Sequence, residues 1–277
     1  MPTAAQAEAP IGVFDSGVGG LSVLRALRAQ LPQENFVYLS DAAHAPYGER
    51  TDDYLTARAL RVADYLIGQR GVKSLVVACN TATAAAIEEM RARWPALPIV
   101  GIEPALKPAA AASQTKRVGV MATRSTLQSA KFNKLLDSLQ DQAQFVVQAC
   151  DGLAAAIENG DDQTTRALCE RYLHAMGDFG QRTGQIDQLV LGCTHYPLVS
   201  AVLQSLAGPG VELLEAGAPV SLQTRRVLDQ AQLLFSRRAE GLTQLLSTGP
   251  GEPLGRNALR WLGLDLVVES VQTGGAG

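Results

Sequence analysis

Twice in this chain a short apolar run ends in cysteine, passes at once into hydrogen-bonding residues and continues as a stretch of helical period. The two stretches are LVVACNTATAAAIEEM around Cys79 and LVLGCTHYPLVSAVL around Cys193, offset by 114 residues. A second pair, PIGVFDSGVGGLSVL and RVGVMATRSTLQSAKF, recurs at an offset of 107 and matches Gly12 with Gly119, Val13 with Val120 and Asp15 with Ala122. A strand followed by a helix returns the chain to the same edge of a sheet, so such repeats build parallel α/β layers. Two half-chains with the same order of elements predict two α/β domains related by approximate twofold symmetry, with a site between them. The symmetry does not extend to chemistry, because Asp15 becomes Ala122 and Asn80 becomes Thr194.

The other apolar runs fit that plan. Strands are expected at 11–14, 36–40, 74–78, 98–102, 117–122, 145–149, 188–192 and 211–215, bounded by turn residues. Leu21, Leu24, Leu27 and Leu31 make one helical stripe, and Ile87, Met90 and Trp94 make another. GIEPALKPAAAAS (101–113), with two prolines, reads as a crossover between the halves, and the helical segment after 216 reads as a return to the first. The expected domains are therefore 10–104 plus 217–270, and 105–216. Residues 1–9 and 271–277 are expected to be disordered, the glycine-rich tail having little apolar surface to offset ordering entropy.

At 277 residues the chain can bury a sizeable core. A net charge of −3 without a run of Lys or Arg argues against a nucleic-acid surface or an anionic membrane as partner, and favours a small polar substrate. The first ten residues carry neither a basic start nor an apolar core, so a cytoplasmic protein is expected. Cys79, Cys150, Cys169 and Cys193 are too scattered for a disulfide framework, which leaves thiol chemistry open.

A thiol at a strand-to-helix junction meets free N–H groups and the positive end of the helix dipole, which lower its pKa and also attract a carboxylate. A lone free cysteine is more often a small buried apolar residue. Two in matched units point instead to a paired acid and base working on one carbon. Cys150 reads as the end of a buried strand and Cys169 as a residue inside a helix, both inert. Asp15 ends the first strand before a glycine-rich turn. That turn could cradle a phosphate, although it lacks the G-x-G-x-x-G spacing, or it could grip an α-amino acid through Asp15 and Ser16. It could also be a surface turn capped by an Asp. His195, two residues past Cys193, is placed to stabilise a thiolate or relay a proton, while His44 in a loop and His174 on a helix are weaker candidates. Zinc is not expected, because no C-x-x-C spacing or second Cys/His pair is present. None of Lys73, Lys107, Lys116, Lys131 and Lys134 stands at a strand end where a pyridoxal Schiff base would need it. No cofactor is expected.

DSGVGG (15–20), PYG (46–48), VACNTAT (77–83), GIEPA (101–105) and LGCTHYPL (191–198), in this order, resemble the bacterial glutamate racemases over about residues 10 to 220. The resemblance implies two flavodoxin-like parallel-sheet domains with the active site between them, commonly as a homodimer. It implies a cofactor-independent 1,1-proton transfer that interconverts L-glutamate and D-glutamate and supplies D-glutamate for peptidoglycan. By the same resemblance Cys79 is the base for D-glutamate and Cys193 for the other enantiomer. Asp15 assists Cys79, His195 assists Cys193, and Glu158 in LAAAIENG matches a further acidic site residue. Ser16, Tyr47, Gly48, Asn80, Thr81 and Thr194 match substrate-binding positions. Thr83 stands where the family usually has Ser, and Glu215 where Asp is usual. Rival readings are an aspartate racemase of the same superfamily, an amino-acid binding protein whose two lobes close on a ligand, and a regulatory protein that binds a macromolecule.

Overall fold

In the computed structural model, which describes residues 3–236 and 239–274, two compact units account for the chain. One contains Met1–Ile102 and Gly217–Gly277, the other Glu103–Ala216. Among the described residues the strands are β1 (Ile11–Asp15), β2 (Phe36–Ser40), β3 (Ser74–Val77), β4 (Ile99–Gly101), β5 (Arg117–Ala122), β6 (Gln144–Ala149), β7 (Gln188–Leu191), β8 (Glu212–Leu214), β9 (Thr243–Ser247) and β10 (Val268–Ser270). The first unit's sheet runs β10-β9-β2-β1-β3-β4 and the second's β6-β5-β7-β8, with every pairing parallel. The order β2-β1-β3-β4 thus recurs as β6-β5-β7-β8, which is the structural form of the sequence repeat.

Both layers follow from composition. β1, β2 and β3 are buried along their whole length, as strands covered by helices on both faces must be. Phe14, Leu39, Leu55, Leu66, Val77 and Met90 share the first unit's core, and Leu106, Val118, Val120, Phe132 and Val190 the second's. The leucine stripe forms the helix Leu21–Gln30, which buries Leu21, Leu24 and Leu27. Helix Gly217–Gln230 lies against it, close enough that a side chain at Gly217 would sit 3.2 Å from Ala26. The long helix Asp52–Arg70 is capped by Thr51, whose hydroxyl accepts from the Tyr54 N–H, with Asp52 and Asp53 at its positive end and Arg70 at its negative end.

Two features depart from the sequence expectations. β6 is an edge strand and is half exposed, although Cys150 just beyond it is buried. The segment after residue 216 is helical over Gly217–Gln230 and Glu252–Leu262, but it also supplies β9, which pairs with β2, and β10. Near both ends the described residues make defined contacts. Thr3 makes a capping box on the helix Ala4–Glu8, Val271 is buried, and Thr273 accepts a hydrogen bond from Arg58. Met1, Pro2 and residues 275–277 lie outside the described residues.

The hydroxyl that Thr83 shares with serine ties β3 to β4. It donates to the Val77 carbonyl at 3.1 Å and accepts from the buried Ile102 N–H at 3.1 Å. Its extra methyl has room because Gly101 faces it; a Cβ on residue 101 would lie 2.6 Å from Thr83 Cγ2. Thr83→Val is therefore expected to cost about 1–3 kcal/mol by stranding the Ile102 N–H, and Thr83→Ser about 1 kcal/mol or less for one lost methyl. Urea unfolding of the two variants separates these outcomes.

Candidate active site

In the first unit the candidate residues meet at the carboxyl ends of adjacent strands β1 and β3. Asp15 ends β1 fully buried, and its Oδ2 accepts the Gly20 N–H at 2.5 Å, which curls the DSGVGG loop back on the strand. Tyr38 Oη donates to the Gly17 carbonyl at 2.6 Å and Ser22 Oγ to that of Gly19 at 2.8 Å. Gly20 is required for space, since a Cβ there would lie 2.6 Å from Asp15 Cβ and 2.9 Å from Tyr38 Oη. Cys79 follows β3 by two residues and is the N-cap of the helix Asn80–Arg93. Its sulfur accepts from the Ala82 N–H at 3.5 Å, and its thiol reaches Ser16 Oγ at 3.8 Å. The thiol thus lies at the positive end of a four-turn helix, where a thiolate is favoured. Asn80 and Thr81, in the first turn, are buried beside it.

Tyr47 and Gly48 belong to a loop that follows β2, after the cis peptide bond Ala45-Pro46. The Tyr47 side chain is buried, and its hydroxyl donates to Asp41 Oδ2 at 2.5 Å. Burial and the Asp41 charge hold that hydroxyl protonated well above the usual tyrosine range.

In the second unit Cys193 follows β7 by two residues, as Cys79 follows β3. Its setting differs. No α-helix starts there; with Pro197 as the second residue, the chain makes a 3₁₀ turn over Tyr196–Val199, and the helix Ser200–Ala207 begins later. The positive charge beside this thiol comes instead from His195. Its Nδ1 lies 3.8 Å from Cys193 Sγ and its Nε2 lies 2.6 Å from Glu158 Oε2. Burial by itself pulls the imidazole pKa down, but the bonds to Cys193 and Glu158 outweigh it and raise it well above the ordinary histidine value. Thr194 is buried between the two site residues.

Glu158→Gln keeps an acceptor for His195 but removes the charge, so the imidazole is expected to titrate at lower pH in the variant. Because the folded value is raised, the stability it contributes is fully present below about pH 6.5 and fades as pH rises through the folded value. The variant's loss of stability should accordingly be larger near pH 6 than at alkaline pH. Histidine NMR titration and denaturation at two pH values check both statements.

Asp41 carries no signal singled out in the sequence, and Cys150 reads there only as the end of a buried strand. Each stands one residue past an equivalent strand, β2 and β6, and each N–H bonds back to the end of the central strand, at Asp15 O (2.9 Å) and Ala122 O (3.0 Å). The strand-end rule that singled out Asp15 and Cys79 applies to Asp41 as well. Cys150 shares the surroundings of Cys193 and the fully buried Tyr196. Burial raises its pKa strongly, which keeps it a thiol. Cys169, inside the helix Asp162–Met176, is pushed up to about 11 by burial. His44 lies 3.3 Å from Asp41, and His174 is exposed. Among the described residues no group of three or more His, Cys, Asp or Glu is placed to hold a metal, and no helix is long and apolar enough to cross a membrane.

Residues 11–219 match the profile of the Asp/Glu/Hydantoin racemase family. A glutamate racemase of Methylococcus capsulatus is 47% identical over 263 residues, 94% of each chain. Among solved structures, a glutamate racemase isoform of Bacillus anthracis superposes with a TM-score of 0.84 at 30% identity, covering 95% of this chain and 97% of that one. Escherichia coli glutamate racemase, solved with L-glutamate and the activator UDP-MurNAc-ala, superposes with a TM-score of 0.81 at 27% identity, covering 95% and 98%. With its repeated parallel sheets and a thiol at an equivalent strand end of each, the chain belongs to the Asp/Glu/Hydantoin racemase family, among the glutamate racemases.

Proposed function

We propose that this protein interconverts L-glutamate and D-glutamate by a cofactor-independent proton transfer at the α-carbon, with Cys79 and Cys193 serving opposite faces. The observation that carries the proposal is the matched pair of strand-end thiols: Cys79 caps a helix N-terminus with Ser16 Oγ 3.8 Å away, and Cys193 lies 3.8 Å from Nδ1 of the Glu158-bound imidazole of His195. The names of the relatives, and the L-glutamate bound to the E. coli enzyme, support glutamate as the substrate.

An unperturbed thiol, with a pKa of about 8.5, is mostly protonated at neutral pH, and an α-hydrogen is far less acidic still. One sulfur must therefore be ionised while the other keeps its proton. The Cys79 thiolate takes the α-proton of D-glutamate, leaving the electron pair on carbon; the Cys193 thiol then delivers its proton to the opposite face, giving L-glutamate and a Cys193 thiolate. The reverse reaction starts from that state. Asp15 and His195 assist on their respective sides. Ser16, Asn80, Thr81, Thr194 and the Tyr47-Gly48 loop bind the amino acid, and N–H donors stabilise the carbanionic charge. Production of D-glutamate for peptidoglycan, a cytoplasmic location and a homodimer belong to the same proposal.

Proton NMR of L-glutamate in D2O with the purified protein, followed alongside circular dichroism, tests it. Loss of the α-hydrogen signal with decay of the optical signal to zero is the expected result. Exchange of aspartate but not glutamate would move the substrate to the neighbouring amino acid, and exchange of neither would defeat the racemase proposal.

A further inference from the structure

Asp41 is completely buried and collects four hydrogen bonds. Tyr47 Oη donates to Oδ2 at 2.5 Å, Arg58 Nε to Oδ2 at 2.7 Å, Arg58 Nη2 to Oδ1 at 2.6 Å and Thr248 Oγ1 to Oδ1 at 2.8 Å. Arg58, on the helix Asp52–Arg70, is itself only 3% exposed. On its far side it donates to Thr273 Oγ1 and, at 3.4 Å, to the Gly274 carbonyl. Thr248 in turn accepts the Ala43 N–H at 3.2 Å, a second grip on the segment leading to Tyr47. The Tyr47 ring meets Phe14 edge-on at 6.3 Å, next in sequence to Asp15, and shares a core cluster with Cys79.

A bidentate guanidinium–carboxylate pair has a fixed planar geometry, so it fixes the orientation of both carboxylate oxygens. Here Oδ2 is held toward the Tyr47 hydroxyl and Oδ1 toward that of Thr248. With its side chain locked, Tyr47 fixes the course of the short loop carrying Gly48, beside β1 and Cys79. The chain of contacts runs from the segment past β10, through Arg58 and Asp41, to the loop.

We infer that Arg58 is a positioning residue for the reaction: held from behind by Thr273 and Gly274, it sets through Asp41 and Tyr47 the geometry of the Tyr47-Gly48 loop that binds the amino acid. The inference rests on the proposed racemase activity and on that loop's place in substrate binding. A loop that binds ground state and transition state alike contributes to KM and leaves kcat nearly untouched. A network that only supported the fold would, when weakened, lower the melting temperature and the active fraction, reducing apparent kcat at constant KM.

The test is steady-state kinetics of Arg58→Lys, Tyr47→Phe, the double variant and Thr273→Val, beside thermal melts. Arg58→Lys keeps the charge on Asp41 but loses the fork; it should raise KM for glutamate about tenfold with kcat within about threefold. Tyr47→Phe should act in the same direction, and the double variant should be little worse than Arg58→Lys alone, because both break one connection. Thr273→Val, which removes only the rear acceptor, should raise KM about threefold. Lowered melting temperatures with unmoved KM values would overturn the inference and assign the network to stability alone. Absence of turnover in the wild-type protein would instead defeat the racemase proposal.

Discussion

Cys79→Ser and Cys193→Ser are each expected to slow glutamate racemisation by about 10³-fold or more, with folding intact. Serine preserves the small size and the hydrogen-bonding pattern, so the Ala82 N–H and Ser16 keep a partner at residue 79, and His195 keeps one at residue 193. What it loses is acidity. An alcohol is not ionised near neutral pH in either setting, so a proton acceptor is missing for one enantiomer and a ready proton donor for the other. Since turnover in either direction uses both sulfurs, the two variants should be impaired alike. Cys169→Ala is the control: that thiol is buried in a helix away from the strand ends, and its loss should leave the rate unchanged. Circular dichroism of glutamate solutions measures all three. Substantial racemisation by either serine variant would sink the two-thiol assignment.

The largest expected effect on stability comes from Arg58→Ala. It leaves the Asp41 carboxylate fully buried with only the Tyr47 and Thr248 hydroxyls and, at 3.3 Å, His44 around it. Breaking one partner of a buried pair costs about 3–5 kcal/mol, because the remaining charge has lost its compensation. In a chain of this size that is about 10 °C in melting temperature. Adding Asp41→Asn removes the charge while keeping an acceptor for Tyr47, and should recover part of the loss. If it recovers nothing, the cost lies in the lost packing of the arginine stem rather than in the stranded carboxylate. Calorimetry of the single and double variants decides between these.

The strand-helix alternation and the matched cysteines were legible because they are local. A run such as SLVVA can pair only in a covered sheet, and a residue two past its end is carried to the ligand-binding edge by chain geometry alone. The carboxylate that orients His195 was not legible that way. Glu158 lies 37 residues earlier, in an alanine-rich helical stretch with no local sign of chemistry, and was reached only through the family resemblance. Arg58 reads as one charge among several on a long helix, and its selection by Asp41 depends on packing that brings residues 41, 58, 248 and 273 together. β9 was missed because TQLLS carries only two buried leucines in sequence, and β10 because three residues give no period to read. Cys193 was placed at a helix start by analogy with Cys79, but Pro197 in the following turn delays the α-helix to Ser200.

The discontinuity of the first unit bears on how the chain is made. All four strands of the β6-β5-β7-β8 sheet come from one uninterrupted stretch, so that sheet can close as soon as residue 216 has left the ribosome. The other sheet cannot. Until residues 243–247 emerge, the outer edge of β2, with the apolar sequence FVYLS, has no neighbour. Synthesis at about 5–20 residues per second leaves that edge bare for many seconds after β2 itself has been made. An unpaired apolar edge is a template for pairing with another chain. Nascent chains stalled between residues 217 and 240 should therefore aggregate or recruit chaperones more readily than chains released whole, and expression at lower temperature or with added chaperone should raise the yield of native protein.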